Sequence, residues 1–225
     1  MQIPGSNNPD YWAEPESGAG PGVLVLHAWW GLNGFFKSVC SQLARDGYVA
    51  CAPDLYNGKV AGTPDEALQL LSQADSQEVD CILIQTAEKV RSHPGVTGPG
   101  IGVLGFSLGA FNALKLAVHP DIGFIRAVVL FYGNNPAFQS QDYARSRAAF
   151  LGHFAEKDEF EPPEEVEKTR AEIQLAGKTV QFYTYPGTQH WFAESDRIDV
   201  YNMEAAALAW DRTHDFLNQN LKQDK

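Results

Sequence analysis

The stretch Gly100-Ile-Gly-Val-Leu-Gly-Phe-Ser-Leu-Gly109 decides how this chain is interpreted. Its second half, Gly105 to Gly109, fits the G-x-S-x-G pattern of a nucleophile elbow, a sharp strand-to-helix turn that lifts a serine hydroxyl above a parallel sheet. Glycines flank such a serine because a Cβ there would collide with neighbouring backbone or force a costly positive φ. The apolar residues before Ser107 predict a buried strand, and the apolar pattern from Leu108 to Val118 predicts a helix.

The same stretch contains a second motif, G-x-G-x-x-G, which is the spacing of a dinucleotide-binding fingerprint. That fingerprint works only when its glycines follow a strand and open a helix. The preceding residues, Ser92 to Gly100, are rich in proline and glycine and cannot form a buried strand. Residues Ile101 to Phe106 must therefore be the strand themselves, and we reject nucleotide binding.

Composition and charge narrow the class of protein. The 225 residues are 44% hydrophobic and 20% charged, which is ordinary for a globular domain with an ample core. The formal net charge of −11 argues against nucleic acid and anionic membranes as partners, because phosphate contacts need a basic surface. The first ten residues lack the pattern of a signal peptide, and no apolar run reaches the length of a membrane span. Three scattered cysteines indicate reduced thiols in a cytoplasmic protein, and no metal-ligand spacing is present: Cys40, Cys51 and Cys81.

Apolar runs alternate with amphipathic helical patterns along the chain. This alternation predicts an α/β fold in one domain, residues 23–225, with a mainly parallel sheet covered by helices on both faces. Residues 1–22 are expected to form an irregular or weakly paired lead-in. The last helix is expected to bury a stripe of five residues: Met203, Ala207, Trp210, Leu217 and Leu221.

A serine nucleophile needs a base within hydrogen-bond reach, and the base needs an acid to orient it. Sites in open α/β sheets lie beyond the carboxyl ends of the strands. Asp158 follows one predicted strand and His190 follows the next, which is the order Ser, Asp, His expected of this architecture. An alternative stays open at the acid position. Asp158 could instead be a turn or helix-capping carboxylate, and Glu156 or Glu159 would then be the acid.

The remaining histidines and the oxyanion donors complete the candidate site. One backbone donor is the N–H of Leu108, and the second is expected from the loop after the first buried strand, residues 27–33. The other histidines are expected to have structural or surface roles: His27, His93, His119, His153 and His214.

Several segments together resemble the dienelactone hydrolase family of α/β-hydrolases. The most specific are His27-Ala-Trp-Trp-Gly-Leu-Asn33 and Tyr48-Val-Ala-Cys-Ala-Pro-Asp-Leu-Tyr56, and they occur in family order with the elbow, Gly152 to Asp158 and Tyr185 to His190. The resemblance implies an α/β-hydrolase fold, a small-molecule ester or lactone as substrate, and no cofactor. By position it also implies that the N–H groups of Trp29 and Leu108 form the oxyanion hole.

Two departures from that family affect the expected chemistry. Its name-giving enzymes carry cysteine at the elbow and a glutamate that helps to activate the thiol, whereas this chain has Ser107 and Ala28. The two changes are consistent with each other, because a serine needs only His190 as base. The sequence therefore predicts a serine esterase that proceeds through an acyl-enzyme.

The substrate and the oligomeric state are less constrained by the sequence. A small or medium hydrophobic ester is the preferred substrate, and the alternatives are dienelactone hydrolysis proper and a catalytically silent ligand-binding protein on the same scaffold. Arg197 is the best candidate to hold a substrate carboxylate, although a surface arginine is the simpler interpretation. The predicted pocket comprises five residues: Trp30, Phe36, Tyr132, Trp191 and Arg197.

Overall fold

The computed structural model describes residues 10–222, and these contain seven strands and seven helices. The strands are β1 (Tyr11–Ala13), β2 (Gly20–Leu26), β3 (Val49–Ala52), β4 (Val96–Phe106), β5 (Ile125–Phe131), β6 (Ala149–Lys157) and β7 (Val180–Gln189). The helices are α1 (Gly34–Arg45), α2 (Pro64–Gln73), α3 (Ser76–Ser92), α4 (Leu108–Val118), α5 (Ser140–Tyr143), α6 (Pro163–Leu175) and α7 (Met203–Leu221).

The strands form one sheet in the order β1-β3-β2-β4-β5-β6-β7. Strands β2 to β7 pair in parallel, and β1 pairs antiparallel with β3 at one edge. The carboxyl ends of the parallel strands therefore meet at the same edge of the sheet, where β4 runs into α4 and β6 and β7 end side by side. The predicted α/β class and mainly parallel sheet are confirmed.

Two hydrophobic cores lie on opposite faces of this sheet. One is built with α1 and α7, and the other with α3, α4 and α6. Strands covered on both faces read as continuous apolar runs, which is why Val23 to Leu26 and Ala127 to Phe131 carry almost no polar residues. None of the helices within residues 10–222 is both long and apolar enough to cross a membrane.

The predicted boundaries need two corrections near the start of the sheet. Part of the lead-in, residues 1–22, belongs to the sheet, because Tyr11–Ala13 pairs with β3 and β2 begins at Gly20; residues 1–9 lie outside the described part of the chain. Strand β4 begins at Val96 instead of Ile101, although its first four residues are not buried. The short β1 strand and the first residues of β4 leave no apolar pattern in the sequence, because these pairings bury little side-chain surface.

The face that α7 buries also differs from the prediction. Met203 is 71% exposed and Ala207 is exposed as well. Leu217 and Leu221 are buried as predicted, and Trp210 packs partly buried against the core, but the rest of the packed face consists of Ala206, Ala209, Thr213 and Phe216. Small residues let α7 approach the sheet closely, and periodicity alone cannot distinguish this face from the neighbouring one.

A buried polar network joins α7 to the sheet. His153 of β6 has no exposed surface, and its Nδ1 lies 2.8 Å from Tyr185 Oη while its Nε2 lies 3.0 Å from Thr213 Oγ1. Arg212 donates a hydrogen bond to the same Tyr185 hydroxyl at 3.0 Å. Burial, followed by the nearby Arg212 charge, lowers the pKa of His153 to about 3. The imidazole is therefore neutral in the folded protein across the physiological range, as expected for a structural histidine.

This depressed pKa predicts a pH-dependent contribution to stability. An unfolded histidine has a pKa of about 6.5, so acid protonates the unfolded chain first, and the stabilisation by His153 is present above that pH and lost as the pH falls toward 3. Replacing His153 with Gln removes the titration. His153→Gln lowers the free energy of unfolding. We therefore expect this decrease to be about 2 kcal/mol smaller at pH 5 than at pH 7.

Urea titrations of both proteins at the two pH values measure this difference. The comparison cancels the contributions of all other titrating groups, which are common to the two chains. An equal cost of the substitution at pH 5 and pH 7 would contradict a neutral, buried His153.

Candidate active site

Ser107 occupies a strained turn between β4 and α4. Its φ is +53° and its ψ is −116°, a left-handed conformation that non-glycine residues rarely adopt. The turn is held by a backbone hydrogen bond of 2.8 Å from the Ser107 N–H to the Phe131 carbonyl of β5. This geometry places the serine side chain at the carboxyl edge of the sheet, as a nucleophile elbow requires.

Glycines around the elbow permit contacts that no other residue would allow. A Cβ on Gly105 would lie 2.2 Å from the Gly109 carbonyl oxygen, and a Cβ on Gly109 would lie 2.1 Å from the Leu26 carbonyl oxygen. A Cβ on Gly133, after β5, would lie 2.4 Å from the Ser107 carbonyl oxygen. The start of α4 is therefore pressed against the ends of β2 and β5, and this brings the loop after β2 next to Ser107.

A continuous chain of hydrogen bonds links the three residues that the sequence singled out. Ser107 Oγ lies 2.9 Å from His190 Nε2, and His190 Nδ1 lies 2.9 and 2.8 Å from the two Asp158 carboxylate oxygens. The side chains of His190 and Asp158 are 4% and 1% exposed, so water is nearly excluded from this pair. The geometry suits proton transfer from the serine to an imidazole that a carboxylate orients.

The Asp158 carboxylate is fixed by its own loop as well. Its Oδ1 accepts hydrogen bonds from the N–H groups of Phe160 and Glu161, at 2.9 and 3.2 Å. Asp158 therefore caps its own turn and is also the carboxylate bonded to His190. Glu156, the alternative acid, instead accepts a hydrogen bond from the Gly187 N–H at 2.9 Å, and Glu159 is exposed.

A second carboxyl group lies behind Asp158. Glu161 accepts a short hydrogen bond from the Asn134 side-chain amide, and the Asn134 Oδ1 accepts one from the Thr169 hydroxyl of α6 at 3.1 Å. Burial and the adjacent Asp158 charge raise the pKa of Glu161 to about 8. A neutral Glu161 avoids placing two negative charges side by side, and it ties the loop after β5 to the Asp158 loop.

The two backbone N–H groups predicted to form the oxyanion hole belong to Leu108 and Trp29. Leu108 is the first residue of α4, and the N–H groups of a helix's first turn have no partners within the helix. Trp29 lies in a turn closed by a 3.2 Å hydrogen bond from the Gly31 N–H to the Ala28 carbonyl oxygen. Gly109 packs directly on the end of β2, so the loop that carries Trp29 begins beside the first turn of α4, and the oxyanion role of the two N–H groups stays a prediction.

An aromatic rim made of Trp29, Phe160 and Trp191 lies beside the catalytic candidates. The ring centroids of Phe160 and His190 are 4.9 Å apart, and those of Trp191 and His190 are 4.8 Å apart. Trp29 lies 5.9 Å from each of the other two rim rings. Phe160 was not predicted, although its position two residues after Asp158 could have indicated it. It is 51% exposed and presents an aromatic surface at the mouth of the site.

The predicted pocket needs correction at three positions. Trp30, Phe36 and Tyr132 are at most 2% exposed and belong to the hydrophobic core. Aromatic residues near a site are as easily core as wall, and only the packing distinguishes the two. Arg197 is half-buried with its guanidinium 3.5 Å from the centre of the Trp30 ring, a cation–π contact.

The structure shows an apolar cavity that the sequence analysis did not identify. It has a volume of about 220 Å³, and its lining includes Leu108, the residue after Ser107, but none of Ser107, His190 and Asp158. Helices α3 and α4 and the loop after β3 supply much of the wall, and Lys115 pairs with Asp80 at its border. Its apolar lining includes Leu55, Tyr56, Leu71, Val79, Leu108 and Phe111.

The other buried histidine near the site has a structural role, as expected. His27 has no exposed surface, its Nδ1 lies 2.6 Å from the Ala28 carbonyl oxygen, and the Leu55 N–H donates to its Nε2 at 3.3 Å. Burial lowers the pKa of His27, which keeps the ring neutral. In the part of the chain that the structure describes, no three His, Cys, Asp or Glu side chains are grouped so as to hold a metal ion.

Comparison with known proteins agrees with this architecture. Residues 9–221 match the model of the dienelactone hydrolase family. Protein usf of Aquifex pyrophilus is 34% identical over 218 residues, which cover 94% of this chain and 93% of that protein.

Solved structures share the fold at lower identity. A dienelactone hydrolase-like promiscuous phosphotriesterase from metagenomic libraries superposes with a TM-score of 0.82 at 21% identity, covering 94% of this chain and 92% of the other. Esterase 2 of Thermogutta terrifontis, phosphonylated by sarin, superposes with a TM-score of 0.71 at 17% identity, covering 96% and 91%. With its α/β-hydrolase fold and a family match that spans nearly the whole chain, this protein belongs to the dienelactone hydrolase family.

Proposed function

We propose that this protein is a serine hydrolase of carboxylic esters or lactones that works through a Ser107–His190–Asp158 triad and an acyl-enzyme. The observation that carries the proposal is the hydrogen-bonded chain from Ser107 Oγ through His190 to Asp158, buried at the carboxyl edge of the sheet. A serine hydroxyl is barely nucleophilic on its own, and this arrangement supplies the base and the orienting acid that it needs. Membership of a hydrolase family supports the same class of reaction.

The reaction begins when Ser107 Oγ attacks the carbonyl carbon of the substrate. His190 Nε2 accepts the serine proton, and the Asp158 carboxylate stabilises the imidazolium that results. The N–H groups of Leu108 and Trp29 donate hydrogen bonds to the oxyanion, and a donor of this kind contributes about 3 kcal/mol to transition-state stabilisation. His190 then protonates the leaving alkoxide, and a water molecule activated by His190 hydrolyses the acyl-enzyme.

The surroundings of the serine favour a neutral, apolar substrate. The cavity beside Leu108 is lined largely by aliphatic and aromatic side chains, and its lysine is already paired with Asp80. Arg197, the candidate for binding a carboxylate, lies against the Trp30 ring. We therefore prefer a small or medium hydrophobic ester over a carboxylate-bearing dienelactone.

The cysteines support a reducing compartment. Cys40, Cys51 and Cys81 are free thiols, and burial raises the pKa of Cys40 to about 12, so this thiol is unreactive. Free buried thiols are typical of proteins that stay in a reducing environment. We therefore propose a cytoplasmic location.

The first prediction of the proposed function concerns the nucleophile. Replacing Ser107 with Ala removes the attacking oxygen, so kcat/KM for p-nitrophenyl butyrate should fall roughly 10⁴-fold or more. Ser195→Ala is the matched control, because Ser195 is an exposed serine in the loop after His190. The same assay run with a dienelactone tests the substrate preference, which is overturned if the lactone is turned over as well as the neutral ester or better.

Covalent labelling separates an enzyme from a silent scaffold. A fluorophosphonate probe should modify Ser107 in the wild-type protein and leave the Ser107→Ala variant unlabelled. Wild-type protein that is neither labelled nor active on either substrate would sink the hydrolase proposal and favour a ligand-binding role for the fold.

The second prediction concerns Ala28, where the family's name-giving enzymes carry glutamate. Ala28 has no exposed surface, so the carboxylate in Ala28→Glu would be buried without an evident partner. We expect this substitution to lower the melting temperature and not to raise ester turnover. Steady-state kinetics and thermal denaturation measure both effects, and a gain in kcat of roughly tenfold (1.4 kcal/mol) would show that the site still uses an auxiliary carboxylate.

A further inference from the structure

One buried carboxyl group beside the site is not used by the proposed reaction. Glu194 lies in the turn after β7, four residues beyond His190, and has no exposed surface. Its backbone N–H donates to the Trp191 carbonyl oxygen at 2.9 Å, and its own carbonyl oxygen accepts from the Arg197 N–H at 3.0 Å. These bonds turn the side chain inward, beneath the segment that carries His190. Burying a carboxyl group costs free energy unless partners form hydrogen bonds with it.

The partner of Glu194 is a tyrosine that touches the base. The Tyr132 hydroxyl donates a 3.0 Å hydrogen bond to Glu194 Oε1, and both side chains are completely buried. The Tyr132 ring lies 5.1 Å from the His190 ring, centroid to centroid. A single hydrogen bond thus connects Glu194 to the ring surface against which the imidazole packs.

Tyr132 is held in a conformation that it would not choose by itself. Its φ is +37°, which is unfavourable for an aromatic residue. The next residue, Gly133, packs so closely on the nucleophile that a Cβ there would lie 2.4 Å from the Ser107 carbonyl oxygen. A movement of Tyr132 would therefore disturb both His190 and Ser107, and the bond to Glu194 opposes that movement.

The second carboxyl oxygen faces the other side of the site. Glu194 Oε2 and the Trp30 indole nitrogen are both buried, and the indole N–H approaches the carboxyl group without forming a hydrogen bond of regular geometry. Trp30 follows Trp29, the proposed oxyanion donor, and its ring packs 5.2 Å from that of Trp191. Glu194 thus lies where the His190 turn, the end of β5 and the loop after β2 converge.

We propose that Glu194 is a positioning residue for the reaction: its carboxyl group holds Tyr132 against His190 and so fixes the imidazole toward Ser107. This role rests on the proposed function, since it assigns His190 the part of the base. Glu194 contacts no reacting atom and acts only through Tyr132.

The protonation state of Glu194 identifies the best conservative replacement. Burial raises the pKa of this carboxyl to about 8, with Tyr132 and Arg197 acting in the opposite direction and Asp196 in the same one. The group is therefore mostly neutral at pH 7, and a neutral carboxyl still accepts the tyrosine hydrogen bond through its carbonyl oxygen. Glutamine keeps that acceptor, whereas leucine fills much of the same space and cannot accept.

The kinetic test uses Glu194→Leu, Glu194→Gln and Tyr132→Phe with p-nitrophenyl butyrate at pH 7. We expect Glu194→Leu and Tyr132→Phe each to lower kcat roughly tenfold with KM changed less than about twofold, because positioning of the base affects the transition state more than binding. Glu194→Gln should retain kcat within about threefold. The Glu194→Leu/Tyr132→Phe double variant should be no slower than either single variant, because both remove the same hydrogen bond.

A matched control and a second readout keep the test independent of folding and of turnover. Tyr143→Phe removes a hydroxyl from another fully buried tyrosine, on the opposite face of the sheet, and should leave kcat unchanged. The NMR signal of the His190 Nδ1–H bonded to Asp158 should shift or broaden in Tyr132→Phe and remain in place in Glu194→Gln and Tyr143→Phe. Glu194→Leu is not needed for this measurement, so a variant that fails to fold does not remove the test.

Specific results would overturn the positioning role. These are wild-type kcat together with an unchanged His190 signal in Tyr132→Phe, effects of Glu194→Leu and Tyr132→Phe that multiply, or a Glu194→Gln variant as slow as Glu194→Leu. If the wild-type protein hydrolyses no ester, the proposed function fails, and the His190 signal still decides whether Glu194 and Tyr132 hold the imidazole.

Discussion

The backbone conformation of Ser107 is the constraint on which the rest of the site depends. A left-handed serine between a buried strand and a helix is unfavourable, so the surrounding structure has to hold it there. The Ser107 N–H bond to Phe131 and the close approaches at Gly105, Gly109 and Gly133 do so from both neighbouring strands. Because α4 is pressed onto the ends of β2 and β5, the loops after those strands begin beside the serine.

The same edge of the sheet brings the proposed acid and base together. Strands β6 and β7 pair in parallel, so the residues that follow them, Asp158 and His190, leave the sheet side by side. Each is then fixed by local hydrogen bonds and by aromatic contacts with Tyr132, Phe160 and Trp191. Burial lowers the pKa of His27 and raises the pKa values of Glu161 and Glu194 to about 8, which favours the neutral form of each buried group.

Within its family this chain combines a serine as the proposed nucleophile with an alanine at the position where the sequence analysis expects a glutamate in the name-giving enzymes. The structure offers a physical reason why the two go together. Ala28 lies in the loop after β2 and is packed in the core, so a carboxylate there would be buried, and in the proposed mechanism a serine paired with His190 has no need of it. The apolar cavity lined by Leu108 and the aromatic rim support the proposal of a neutral, apolar substrate.

Local patterns in the sequence determined the α/β class, the elbow at Ser107 and the candidate acid and base, because strand, turn and helix signals depend on neighbouring residues and the strand order of such folds is regular. Burial could not be determined in this way. Trp30, Phe36 and Tyr132 looked like pocket residues and are core, whereas Phe160 was overlooked and lies at the mouth. Only the tertiary structure showed three further features. They are the exposed face of α7, the burial of Glu161 and Glu194, and the cavity lined by Leu108. Each depends on which elements pack against each other across the sheet, and those contacts join residues far apart in the chain that share no local pattern.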